Sequence, residues 1–183
     1  MKRFIGIILF VLVTSTASAQ LFGFSAYGNS YGYSGGSSDG GLSSGYRGMV
    51  EVGDGFDFCC MGNVFRFSTT HGYQFNPYLY LGGFVSLGTA QSYGGYYSCC
   101  ETSFSLRFGA DFRTYMSKRR FAPFVGVKFG SDLSDDGPFV HLSAQAGFRV
   151  AIKNRHGVNF AVQFGPAQYF ESGEMVFKLG YEF

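Results

Sequence analysis

Glu174-Met175-Val176-Phe177-Lys178-Leu179-Gly180-Tyr181-Glu182-Phe183 closes the chain, and its reading decides the fold. Taken in steps of two, Met175, Phe177, Leu179, Tyr181 and Phe183 are apolar or aromatic. Glu174, Lys178, Gly180 and Glu182 are charged or small, and Val176 is the one exception. A period of two is the signature of a strand with two different faces. In a soluble sandwich the apolar face would pack on a core, whereas in a wall that closes on itself inside lipid it would face outward. The rest of the chain has to choose between the two.

Seven earlier segments repeat the division. The first, 46–58, sets Val50, Val52, Phe56 and Phe58 against Arg47, Glu51, Gly53, Gly55 and Asp57, with Asp54 on the apolar parity, which calls for a bulge or a position beyond the hydrocarbon. The second, 63–70, opposes Phe65 and Phe67 to Arg66 and Ser68. The third, 78–89, places Leu79, Leu81, Val85 and Leu87 on one face. Around 104–113, Phe104, Leu106, Phe108, Ala110 and Phe112 alternate with Ser105, Arg107, Gly109, Asp111 and Arg113. The segments 121–130, 139–152 and 158–165 follow the same rule, with Lys128, His141 and Arg149 on the polar side. Eight such segments predict an all-β fold, an eight-stranded antiparallel transmembrane barrel of the up-and-down kind over 46–183.

Composition agrees. Charged residues are 14% of the chain, 23 Phe and 13 Tyr are present, and 28 Gly supply small inward positions. A hydrated exterior needs more charge than that; soluble domains carry about 25%. Lipid accepts Phe, Val and Leu, and Tyr suits the two rims, where its ring and hydroxyl meet different media. The alternative is a secreted soluble β-sandwich that binds a ligand.

Before the barrel stand two segments of other kinds. Lys2 and Arg3 precede an apolar run from Phe4 to Val13, and Ala17-Ser18-Ala19 offers small residues for cleavage before Gln20, so 1–19 reads as a signal peptide rather than an uncleaved anchor. Its removal takes the formal charge from +2 to zero, which leaves nothing that argues for nucleic-acid binding. Residues 20–45 are rich in Gly, Ser and Tyr and read as a flexible leader, with a self-associating adhesive tract as the alternative.

An even strand number puts both termini on one side, and the signal peptide makes that side the periplasm. Residues 71–77, 116–120 and 153–157 then become periplasmic turns. The outward loops are 59–62, 90–103, 131–138 and 166–173, which carry Glu101, Asp132, Asp135, Asp136 and Glu171. Cys59-Cys60 and Cys99-Cys100 fall in the first two outward loops. In an oxidising compartment they are candidates for loop-to-loop disulfides of open pairing, with free thiols as the alternative. Two adjacent pairs lack the usual spacing of a zinc site, so no metal and no cofactor is expected.

The inward face holds a charge network of Arg47, Glu51, Arg66, Arg107, Asp111, Arg113, Lys128, Arg149, Lys178 and Glu182, joined by Asp57, His141 and Glu174. Opposed charges in a narrow interior pair with one another, which predicts a lumen filled by side chains rather than an open pore. The alternatives are a narrow anion-preferring porin and a lipid-modifying enzyme. His141, Ser143 and Asp111 can be written as a catalytic triad, but any barrel interior yields such triples, and His71 and His156 fall in turns; no catalytic residue is assigned.

With its signal peptide, eight alternating segments and closing GYEF, the chain resembles the small outer-membrane β-barrel proteins of Gram-negative bacteria, the OmpA/OmpX-like eight-stranded type. FRFSTTHGYQFNPYLYLGG, residues 65–83, is similar to versions from the Bacteroides group. The chain is expected to be a monomer with a structural or surface-interaction role rather than an enzymatic one, and the resemblance implies a barrel placed in the cell outer membrane. It also implies that Tyr181 and Phe183 form the signal read by the barrel assembly machinery. Its partners would be membrane lipid, that machinery and a surface ligand met by the outward loops.

Overall fold

A computed structural model describes residues 42–58, 62–92, 101–134, 137–153, 156–166 and 173–183. The expected signal peptide, the leader up to residue 41 and all four cysteines lie outside the described residues. Eight strands follow in chain order: β1 (Gly45–Asp57), β2 (Asn63–Asn76), β3 (Leu79–Ser92), β4 (Glu101–Tyr115), β5 (Phe121–Ser134), β6 (Gly137–Lys153), β7 (His156–Pro166) and β8 (Gly173–Glu182). Each pairs antiparallel with the next, and β8 returns to β1, so the sheet closes into a barrel. A sandwich of two sheets is therefore excluded. Closure removes the open edges that a lipid environment cannot satisfy.

The seam is made by the stretch that opened the sequence reading. Met49 pairs with Glu182, Val52 with Leu179 and Asp57 with Glu174, without a break in register. Past the end of β8, Phe183 and Gly48 exchange both backbone hydrogen bonds, at 2.9 and 3.0 Å. Gly48 lies directly under the Phe183 ring: a Cβ there would stand 3.2 Å from Cδ2 and closer still to the ring edge. Gly55, further along β1, is tighter in a different way. A Cβ on it would stand 2.7 Å from Val176 Cα and 2.9 Å from the Met175 carbonyl carbon, both backbone.

Burial is inverted relative to a soluble protein. Phe129 (58% exposed), Phe177 (52%) and Val140 (51%) stand on the outer wall, while Arg113 and Asp111 are fully buried inside. Alternation sends each strand's apolar set outward and its charged set inward, as the strand period dictates. Val176, the exception to the closing pattern, is fully buried in the lumen. An arginine on the outer wall would meet hydrocarbon. Val127→Arg, at the middle of β5, is expected to cost roughly 2–4 kcal/mol, read from urea unfolding in lipid vesicles.

Several sequence expectations need correction. Residues 71–77 are not a turn, because β2 runs on to Asn76: His71, Tyr73 and Phe75 continue the outward parity, and only a bulge between Gln74 and Asn76 marks its end. Asn76 caps the real turn, its Oδ1 accepting from the Tyr78 N–H at 2.8 Å. Residues 131–138 are mostly strand, because β5 and β6 stay paired to Ser134 and Gly137. Asp54 makes no bulge; it faces outward in unbroken register between Phe65 and Phe177. Leu42, assigned to the flexible leader, is buried with Met49, Tyr80, Tyr115 and Phe124, and its N–H donates to the Lys118 carbonyl at 3.1 Å.

Candidate functional site: the charged lumen and the rim

Inward parity brings all ten residues of the expected network into the interior, together with Glu174 and His141. Asp57, at the loop end, is only half-buried. Asp132 is an addition, since the sequence reading left it in an outward loop. It shares the inward parity of Lys128 and Gly130 on β5 and is fully buried against Arg107. The step of two from Lys128 was the signal that could have found it.

The charges fall into three groups along the barrel axis. Toward the loop end, Glu174 accepts from Arg66 Nη2 at 2.5 Å and also pairs with Arg107, whose Nε donates to Asp132. In the middle, Glu51 is a hub. It pairs with Arg113 at 2.6 Å, Lys128 at 3.1 Å and Lys178 at 3.6 Å, and accepts from Ser68 Oγ at 3.2 Å. Asp111 backs this group, pairing with Arg113 at 2.7 Å and accepting from Gln145 Nε2 at 2.7 Å. Toward the termini, Glu182 lies between Arg47 and Arg149, the latter at 2.9 Å.

Such pairs tolerate confinement because each cation has a carboxylate partner, and breaking one leaves a buried charge uncompensated. Sequence could assign these residues to one face. It could not choose partners: Arg66 on β2 and Glu174 on β8 are 108 positions apart and meet over β1, which lies between their strands.

Among the described residues, ring side chains pack inside the barrel beside the ion pairs. Between the middle group and the terminal one, Tyr115 and Phe124 pack with ring centroids 5.5 Å apart, and the Arg113 guanidinium lies over Phe124 at 5.3 Å. The written triad does not assemble. His141 Nε2 meets Ser143 Oγ at 3.0 Å, but His141 Nδ1 has no hydrogen-bond partner and Asp111 is engaged elsewhere.

On the outer wall at the terminal end the histidines find their place. His71 and His156 are strand residues, not turn residues, because β2 and β7 extend beyond the segments read from sequence. Tyr46 OH and His71 Nδ1 are 2.5 Å apart, and Tyr181 OH and His156 Nδ1 are 3.0 Å apart. Phe183 meets His71 edge-on and stacks against Tyr181. Rings with polar tips suit the boundary between hydrocarbon and headgroups. Tyr181 and Phe183 therefore stand exposed on this rim beside the seam.

Fold and interior together define an eight-stranded barrel with an apolar exterior and an ion-paired interior. Among solved structures it is similar to Neisserial surface protein A, with a TM-score of 0.56 at 10% identity over 75% of this chain and 94% of that one. That likeness concerns the fold. Looser matches are the outer membrane enzyme PagL (TM-score 0.47, 15% identity, 73% and 97% covered) and the N-terminal β-barrel domain of Pseudomonas aeruginosa OprF (0.45, 11%, 77% and 100%). No family model and no curated protein matches the sequence.

Proposed function

We propose that the chain is a monomeric, non-enzymatic barrel of the outer membrane of a Gram-negative bacterium, of the Bacteroides type that residues 65–83 resemble, with both termini in the periplasm. The observation that carries this reading is the inverted burial: large apolar side chains cover the outside while, among the described residues, twelve Lys, Arg, Asp and Glu side chains are buried within. A soluble exterior of that kind would be an aggregation surface. Lipid makes it the stable arrangement.

The filled lumen favours a structural or surface-interaction role over transport. Loops at the end opposite the termini would meet an external ligand, and the paired cysteines, if bridged from loop to loop, would hold them together. Tyr181 and Phe183 would serve as the assembly signal.

Fractionation of the native host combined with gel migration tests this. The expected result is recovery in the outer-membrane fraction and a band that shifts on boiling, because a closed barrel resists detergent until heated. Recovery in the soluble fraction with no heat-dependent shift would overturn it. Alkylation before and after reduction, read by mass, tests the bridges: four adducts only after reduction are expected, and four adducts without reduction would exclude them.

A further inference from the structure

Between the loop-end and middle ion-pair groups lies an enclosed cavity of about 10 Å³. That is close to the smallest space that holds one water-sized particle. Arg66, Arg107, Lys128 and Lys178 line it, and no carboxylate does. Glu51 and Glu174 pair with these four cations from outside the lining. Four cationic side chains converging on one small buried space make a strongly positive site in a region of low dielectric.

Two further observations point the same way. Among the buried charges of the described residues, seven are Lys or Arg (Arg47, Arg66, Arg107, Arg113, Lys128, Arg149, Lys178) and five are acidic (Glu51, Asp111, Asp132, Glu174, Glu182). Around the cavity, five cations (Arg66, Arg107, Arg113, Lys128, Lys178) share four carboxylates (Glu51, Asp111, Asp132, Glu174), and the one positive charge left over favours a counter-charge. The second observation concerns His141, which is fully buried and also lines the cavity, with Nδ1 lacking a partner. Gln163 Nε2 donates to Ser143 Oγ at 3.0 Å, and the Ser143 hydroxyl hydrogen, where it is given to His141 Nε2, spans a contact of 3.0 Å. In that chain the ring proton of a neutral His141 sits on Nδ1, a donor without an acceptor. Arg66 Nε is likewise buried without a partner.

We infer that this cavity binds a single monatomic anion, chloride under ordinary conditions, held by Arg66, Arg107, Lys128 and Lys178 and by the ring N–H of His141. The ion would be a structural counter-ion trapped on folding among the buried ion pairs, not a permeating one. The inference goes beyond the proposed envelope role and stands on the interior alone, so a failure of either leaves the other intact.

Long-wavelength anomalous diffraction from crystals of the membrane-extracted protein grown in sodium chloride decides it. The expected result is one anomalous peak between His141 and Lys178, absent from crystals of protein refolded and grown in sodium sulfate, whose anion is too large for the space. Density in the cavity without an anomalous signal in chloride means water, and would overturn the inference. In solution, the melting temperature of barrel refolded in chloride should exceed that in sulfate at equal ionic strength, with a saturable dependence on chloride. An equal melting temperature in the two salts argues against the site. Lys178→Met removes one of the four cations while keeping the side-chain length, and loss of the peak is expected. A peak of undiminished occupancy in that variant would contradict the charge-based account, and if the variant does not fold, the wild-type diffraction decides alone.

Discussion

Glu51→Gln is expected to destabilise the folded barrel by roughly 3–5 kcal/mol, the range found when one partner of a buried ion pair is removed. Three cations converge on this carboxylate, Arg113, Lys128 and Lys178, and all four side chains are nearly or wholly inaccessible to water. Glutamine keeps the volume but loses the charge, and its amide can offer only one oxygen to the three. Urea unfolding in lipid vesicles gives the number. Pairing the change with Lys178→Met should recover part of the loss, since the second substitution removes one of the stranded cations, and a non-additive result is the signature of their coupling. A loss below about 1 kcal/mol for the single variant would instead indicate a lumen wet enough to screen the charges.

Gly55→Val should prevent efficient closure of the barrel, and Gly48→Val should weaken it less. The difference lies in what each new side chain meets. At Gly55 the obstacle is the backbone of Met175 and Val176, which cannot move without parting β1 from β8. At Gly48 it is the ring of Phe183, which can swing outward at the expense of its contacts with His71 and Tyr181. Overpacking costs roughly 1–3 kcal/mol and occasionally more. Gly48→Val belongs within that range and Gly55→Val at its top or beyond. The yield of heat-modifiable barrel after refolding compares the two, and equal yields would contradict the seam geometry.

Much of the fold was legible because a strand reports its two faces every second residue. Phe177, Leu179 and Tyr181 stand outward and Lys178 and Glu182 inward, as the closing stretch alone implies. The errors came where turn-forming residues interrupt the eye rather than the strand. His71-Gly72-Tyr73-Gln74-Phe75-Asn76-Pro77 contains the Gly and Asn-Pro of a turn, yet Gly72 is needed where the Tyr80 hydroxyl crowds the lumen, its oxygen 2.7 Å from where a Cβ would stand. Asp132 was hidden by Asp135-Asp136, with which it reads in sequence as one acidic loop, whereas β5 is paired as far as Ser134.

Partner choice inside the lumen was not legible. Parity selects a face, but which charge meets which depends on the stagger of eight strands. Glu182 reaches Arg47, across 135 positions, only because β8 closes on β1. The rim was partly legible. Tyrosine was expected there from its chemistry, while the two histidines that bond to Tyr46 and Tyr181 were missed because their strands were drawn too short.

The chain contains no tryptophan, so a single one introduced by substitution reports only its own surroundings. Fluorescence of Phe129→Trp and Leu179→Trp, compared with Tyr115→Trp, in vesicles whose acyl chains carry bromine measures directly which face meets lipid. Phe129 and Leu179 stand on the outer wall and Tyr115 is buried in the lumen. Strong quenching of the first two with little of the third is the predicted result. Quenching of Tyr115→Trp as deep as that of the outer pair, or no quenching at any of the three, would contradict a membrane-spanning barrel with an apolar exterior and a closed, charged interior.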